Sequence, residues 1–120
     1  MTRARTSSIL IRETKTPLSG ACAWAESMHS RMVGLLSHDA LAEDESLMID
    51  PCKQVHTFFM RFPIDVVFLS ESNQVLKIRS LAPWRLSPLV WKAARVLELP
   101  AGRCSRAGLT EGAHLEFVDA

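Results

Sequence analysis

The most constraining feature of this chain is a short run, Ile64-Asp65-Val66-Val67-Phe68-Leu69, apolar at every position but one. Six residues are too few for a buried helix and enough for a strand, and an apolar run without alternation predicts a strand covered on both faces. Phe62-Pro63 biases the chain before it toward extended geometry. Glu71-Ser72-Asn73-Gln74 after it reads as a hairpin loop, with Asn73 suited to a positive φ. Val75 to Leu81 then returns as a second strand, with Leu76 and Ile78 on one face and Lys77 and Arg79 on the other.

A strand buried on both sides needs further layers, and the flanking sequence offers them. Ser8 to Lys15 reads as a strand around Ile9, Leu10 and Ile11, broken by Pro17 and Gly20. Ala21 to Ala25 reads as another, as do Leu47 to Ile49, Val55 to Met60, Arg95 to Leu99 and His114 to Val118. Pro83 to Trp91 is a long irregular loop. Ser27 to Leu36 is the best helix: Met28, Met32, Leu35 and Leu36 share one face, Ser27 is a suitable N-cap, and Gly34 points to close approach of another backbone. The expectation is an α+β fold, a strongly curved or barrel-like, antiparallel-rich sheet of six to eight short strands with one main helix. The expected core is Leu10, Met32, Leu35, Phe58, Val66, Phe68, Leu76, Ile78, Leu97, Leu99, Leu115 and Phe117. With 120 residues the chain has room for one such domain. It is expected over residues 8–120, behind a flexible basic tail at 1–7.

Charge narrows the function classes. Lys and Arg number 14 against 13 Asp and Glu, a formal net charge of +1. A globally basic nucleic-acid binder is therefore not the default. The balance hides an asymmetry: residues 32–52 are acidic, with no Lys or Arg, and residues 77–106 are basic with only Glu98 opposing. Two solvated, mutually neutralising faces are the plain reading, and an anion-binding face is the functional one. No apolar run approaches the roughly 20 residues of a membrane span. Arg12 and Glu13 cut the N-terminal apolar patch short of a secretory signal. Cys22, Cys52 and Cys104 form no CxxC and are expected as free thiols. The expectations are a cytoplasmic monomer without cofactor, whose partner is a small molecule or a protein or peptide, with no membrane partner and with nucleic acid only as a lesser alternative.

Several constellations could carry chemistry. Cys52, His56 and Met60 have the donor atoms for a soft metal, but no second ligand pair follows, and a resident metal is not expected. Cys52 beside His56 or His114 could form a thiol nucleophile, although no nucleophile signature surrounds it. Asp65 and Glu98 stand in apolar strands, where a bare carboxylate is costly. With Cys52 and His56 they make the case for a small hydrolase or metal-dependent enzyme. The structural alternative for Asp65 is pairing with Arg61 or with loop amides. Trp84-Arg85 and Trp91-Lys92 place aromatic faces beside cations, a pattern found at binding surfaces. The leading expectation is a non-catalytic binding or accessory module. Its loop-lined groove would use His56, Arg61, Asp65, Trp84, Arg85 and Glu98. The enzyme, and nucleic-acid or anion binding through 77–106, are the alternatives.

The ordered motifs carry a resemblance. Arg31-Met32-Val33-Gly34-Leu35-Leu36, Pro51-Cys52, Val55-His56-Thr57-Phe58-Phe59-Met60, Arg61-Phe62-Pro63-Ile64-Asp65-Val66-Val67-Phe68-Leu69, Val96-Leu97-Glu98-Leu99-Pro100-Ala101-Gly102 and Gly108-Leu109-Thr110-Glu111-Gly112 follow one another in a sequence that resembles domain-of-unknown-function family 192. The chain departs from the family pattern at Glu45-Ser46-Leu47-Met48, where a Gly-rich stretch is usual, and at Ala113, where Asp is usual. The resemblance implies a small α+β domain and carries over no catalytic residue.

Overall fold

The computed structural model describes residues 6–25 and 41–119. The expected helix Ser27–Leu36, with Met32 and Leu35, lies outside them. The strands are β1 Thr6–Ile11, β2 Thr16–Ala25, β3 Glu45–Ile49, β4 Ile64–Leu69, β5 Val75–Leu81, β6 Arg95–Pro100 and β7 Leu115–Asp119, with a short helix α1, Arg103–Ala107, between the last two. Thr6 and Ser7, expected in the tail, begin β1. All seven strands form one sheet in the order β5-β4-β6-β3-β2-β1-β7. Every pairing is antiparallel except β2 with β3.

The sheet curls until its two edges touch at one corner. There the Val75 amide donates to Ala113 O at 2.8 Å and the Gly112 amide to Val75 O at 2.8 Å. A bridge between Gln74 and His114 lies beside them. The β4–β5 hairpin closes as its sequence predicts, with Asn73 at φ 65° and its amide donating to Ser70 O. Arg95 fastens this hairpin to the rest of the fold. Its guanidinium donates to Asn73 Oδ1 at 2.6 Å, to Asp50 Oδ2 at 2.9 Å and to Ser70 O at 3.2 Å.

β4 is buried at all six positions, as its composition requires. Val67 and Leu69 point into the curl with Ile9, Ile11, Leu18, Met48, Leu97, Leu99 and Leu115. Ile64, Val66 and Phe68 point outward, where Val55, Met60, Phe62 and Ala93 cover them. Of the expected core, Val66, Phe68, Leu97, Leu99 and Leu115 are fully enclosed, and Phe117 packs half-buried against the inner cluster. Leu76 and Ile78 are half-buried but do not share a face: Ile78 joins the inner cluster and Leu76 the outer one, because the β4–β5 register shifts between Phe68 and Leu69. Phe58, also expected in the core, is half-buried and joins neither cluster. Leu10 is a correction. Strand alternation buries Ser7, Ile9 and Ile11 and turns Leu10 outward, and three consecutive apolar residues could not reveal that phase.

Three further corrections concern elements. Pro17 and Gly20 do not break a strand but lie within β2. Pairing with β3 begins only at Ala21, so the Pro17 end of β2 has an open side where a missing N–H is tolerated. Gly20 meets the Asp44 carboxylate, on which a Cβ would fall. Val55 to Met60 is not a regular strand. α1 replaces what reads as glycine-punctuated coil: Gly102 at φ 85° precedes it and Gly108 at φ 72° ends it, each in the left-handed region that glycine accepts.

At the closing corner, Glu13 accepts from the His114 amide at 2.9 Å and contacts His114 Nδ1 at 2.8 Å. The amide first, then the imidazole, hold its carboxyl down from the ordinary 4.5 to about 2. A depressed carboxyl stabilises the fold above its unfolded value, and that contribution is lost as pH falls from 4.5 through about 2. NMR titration should therefore place the Glu13 midpoint far below its neighbours. In His114→Ala the amide remains, so the midpoint should stay well under 4.5; a return to the ordinary value would assign the effect to the ring.

Candidate functional site

The segment at 53–62 is laid against the segment at 84–93. The Val90 amide donates to Lys53 O at 2.9 Å, the Ser87 amide to Val55 O at 2.9 Å and the Trp84 amide to Thr57 O at 2.9 Å, and His56 bridges Leu86. The two segments thus form an irregular antiparallel ribbon over the outer core. Its composition is that of a strand, but polar side chains replace part of the ladder. Ser87 Oγ accepts from the Val55 amide at 2.9 Å, and Gln54 Nε2 donates to Ser87 O at 3.0 Å.

Thr57 is the centre of the ribbon. It is fully buried, and its hydroxyl donates to Ala82 O at 2.6 Å while accepting from the Arg85 amide at 2.8 Å. Its own amide donates to Arg85 O at 2.8 Å, and its carbonyl accepts from Met60 as well as Trp84. These bonds hold Phe59 at φ 69° and Trp84 at φ 64°. Bulky side chains rarely adopt this left-handed conformation, which costs about 1–2 kcal/mol each. Both rings are nonetheless presented to solvent, at 60% and 55% exposure. They meet each other with centroids 4.7 Å apart, Phe58 lies 6.2 Å from Trp84, and His56 stacks on Phe58 at 4.6 Å.

Of the residues singled out in the sequence, His56, Trp84 and Arg85 converge here, and Arg61 is exposed on the neighbouring turn. Phe58, Phe59 and Leu86 belong to the same surface and were not singled out as binding residues. The doublet Phe58-Phe59 was the available signal, since only one residue of an adjacent pair can face the core of an extended segment.

Asp65 and Glu98 are not part of this surface, nor of a common site. β4 and β6 pair with Asp65 opposite Leu99 and Glu98 opposite Val66. Asp65 therefore shares the inner face with Val67 and Leu99, whereas Glu98 shares the outer face with Val66 and Val96. Side chains on opposite faces of a sheet cannot act as a paired acid and base. Asp65 is 2% exposed and takes a backbone amide, the second of the expected kinds of partner, although that amide belongs to the first turn of α1 and not to a loop. It accepts from Ser80 Oγ at 2.8 Å and from the Cys104 amide at 3.1 Å. The second bond caps the first turn of α1, whose own N-cap, Gly102, has no side chain to do so.

Cys52 is half-buried, with Sγ donating to Gln54 O at 3.1 Å, and Met60 points into the outer core. Cys22 and Cys104 belong to the inner core. Burial, followed by the nearby Asp65 charge, pushes the Cys104 thiol up to about 12. A separate shallow depression of about 560 Å³ lies between the tip of the β4–β5 hairpin and the far end of the ribbon, lined by Lys53, Ser70, Ser72, Trp91 and Lys92 among others.

The basic segment is largely occupied within the molecule. Glu43 receives Arg106 in a two-point pair at 2.6 and 2.7 Å, with Arg103 at 3.5 Å. These arginines hold its carboxyl below the usual range, Arg106 most strongly. Arg95 pairs with Asp50. The acidic and basic stretches of sequence thus neutralise each other by direct contact.

Two outcomes follow. Asp65→Asn should lower stability by about 1–3 kcal/mol, because a buried charge-assisted cap is weakened; urea melts that show an unchanged or raised midpoint would deny Asp65 its structural role. Thiol titration should find three free thiols after denaturation, as the free cysteines require. In the folded chain Cys52 should react well before Cys22 and Cys104; fast modification of Cys104 would contradict its burial.

Comparison with known proteins places this architecture. A UPF0127 protein of Pyrococcus furiosus is 35% identical over 63 residues, covering 52% of this chain and 54% of the relative. One from Pyrococcus horikoshii is 35% identical over 65 residues, covering 54% and 51%. The chain thus spans about half the length of these archaeal relatives. Among solved structures, a Sinorhizobium meliloti protein described as a "putative transcription regulator" aligns with a TM-score of 0.77 at 20% identity, covering 96% of this chain and 94% of that one. A Novosphingobium aromaticivorans protein of unknown function aligns with a TM-score of 0.77 at 18% identity, covering 94% and 84%. At such identities the likeness is one of fold. The model of the DUF192 family (Uncharacterized ACR, COG1430) matches residues 8–117, and the chain belongs to that family.

Proposed function

We propose that this domain is a non-catalytic binding module and that the ribbon around Phe59 and Trp84 is its binding surface. The observation that carries the reading is the combination of strain and exposure at these two residues. A buried ring in a strained conformation is explained by packing; an exposed one gains little from its site. Strain kept where it contributes no core is characteristic of functional surfaces. The clustering supports the same reading. Six large hydrophobic side chains are exposed among the described residues, and Phe59, Trp84, Leu86, Leu89 and Trp91 are five of them. Scattered exposed apolar residues are ordinary, whereas a contiguous group marks an interaction site.

The enzyme alternative receives less support from the geometry, since Asp65 and Glu98 lie on opposite faces. Nucleic-acid binding through residues 77–106, or a regulatory role like that named for the Sinorhizobium protein, would have to work with Arg95, Arg103 and Arg106 already engaged by Asp50 and Glu43.

The test uses Phe59→Asn/Trp84→Asn, because Asn tolerates left-handed backbone where most residues do not. The urea midpoint of this variant should be unchanged or raised. Returned as a tagged chain to its native cells, the wild type should fractionate with a larger assembly, and the double variant should be released as a free chain. A wild type that is already free, or a variant that stays bound, would overturn the reading.

A further inference from the structure

The ribbon has one chemical property that its exposure alone does not state. From Pro51 to Ile64 and from Ala82 to Leu97 the sequence holds Lys53, Arg61, Arg85, Lys92 and Arg95, and no Asp or Glu. Elsewhere five of the six described cations have carboxylates against them, Lys77 being the exception: Arg12 and Lys15 meet Glu116, Arg79 meets Glu111, and Arg103 and Arg106 meet Glu43. On the ribbon, Arg95 is tied to Asp50 beneath it. The Lys53 ammonium donates to the main-chain carbonyls of Trp91 and Ala93, at 2.9 and 2.6 Å. Arg85 reaches Trp84 O at 3.4 Å. Arg61, Arg85 and Lys92 are exposed. Glu71 lines the depression at the Trp91 end.

The apolar and cationic groups also leave the molecule on one side. Val55, Met60, Phe62 and Ala93 fill the inner side of the ribbon, against β4 and β6. The exposed side chains of Phe59, Trp84, Leu86, Leu89 and Trp91 therefore leave from its outer side. The result is a raised strip with two tryptophans, a phenylalanine and two leucines among cations.

We propose that this strip docks the chain on the surface of an anionic lipid bilayer, without crossing it. This inference rests on the reading of the ribbon as the binding surface and names its partner. Tryptophan, phenylalanine and leucine on one side of an element rich in Lys and Arg are the composition of interfacial binding: the apolar groups enter the boundary between headgroups and acyl chains, and the cations meet lipid phosphates. A protein interface shares the tryptophan, phenylalanine and arginine, but in it lysine is depleted and leucine is seldom a dominant anchor. No helix among the described residues is long and apolar enough to cross a membrane, and surface docking requires none. The sequence-based expectation of no membrane partner considered only a span.

Sedimentation with vesicles tests the proposal, using phosphatidylcholine alone and an equal mixture with phosphatidylglycerol. The wild type should partition into the mixed vesicles at least about tenfold better than into the neutral ones. That binding should weaken as NaCl rises from about 0.05 to about 0.5 M, where screening shortens the reach of surface charge. Emission from Trp84 and Trp91 should shift to the blue on binding. Arg85→Glu/Lys92→Glu should lose the preference for the mixed vesicles. Phe59→Asn/Trp84→Asn should lose binding to both, with the urea midpoints of both variants confirming that they fold. A folded wild type that ignores the mixed vesicles, binds both kinds equally, or binds undiminished after either double substitution overturns the proposal. If it ignores vesicles yet forms a native protein assembly that Phe59→Asn/Trp84→Asn disrupts, the ribbon remains the binding surface and its partner is a protein.

Discussion

Both hydrophobic cores are organised by β4. Its inward residues, Val67 and Leu69, meet the inside of the curled sheet, and its outward residues, Ile64, Val66 and Phe68, meet the ribbon. Fully burying an aliphatic or aromatic side chain is worth about 1.5–3 kcal/mol, comparable with a large part of a small domain's net stability of about 5–15 kcal/mol. The two sides are consequently not independent. The inner side needs the sheet to curl, and the outer side needs a second layer. That layer is the ribbon, so the surface read as functional is also the lid of the outer core.

The one carboxylate in β4 explains how α1 comes to be where it is. Asp65 cannot reach water, and an ionised group left bare in such a place would cost several kcal/mol. The Ser80 hydroxyl and the Cys104 amide supply its hydrogen bonds. Reciprocally, a five-residue helix behind a glycine has no local side chain to satisfy its first amides, and a carboxylate also suits the positive end of its dipole. The same economy governs the surface charges. Glu43 and Asp50 from the acidic stretch hold Arg103, Arg106 and Arg95 from the basic one, and Arg85 and Lys92 on the ribbon meet no carboxylate among the described residues.

What could be read in advance divides along physical lines. β4, the hairpin at Asn73, β5, β6 and β7 were legible because their signals are local: apolar runs, alternation and turn residues. The family motifs were legible for the same reason, as ordered short words. Pro17 and Gly20 were misread because their tolerance depends on neighbours, an open strand side and the Asp44 carboxylate. α1 was missed because five residues are too few to show a helical period and because its cap arrives from a strand 39 positions away. His56, Trp84 and Arg85 were singled out by residue type alone. Asp65 and Glu98 were grouped with them because one-dimensional sequence does not say which face of which strand a residue occupies. Phe59 was assigned to a strand and to no site, since its exposure follows from a backbone angle that nothing in Val55–Met60 announces.

That angle is the final step in the reasoning. Holding Phe59 and Trp84 in left-handed backbone costs about 1–2 kcal/mol apiece, and leaving such rings in water forfeits the stabilisation that burial would bring. Against this stand the bonds converging on Thr57, each contributing about 0.5–1.5 kcal/mol net. Their acceptors and donors, Ala82, Arg85, Trp84 and Met60, come from both segments of the ribbon, so the strained tips and the lid over β4 share one fastening. A partner that covers Phe59 and Trp84 returns the apolar stabilisation that the isolated chain forgoes. The rigid, buried threonine keeps both rings already placed for it, which spares the ordering cost that flexible loops would incur on binding.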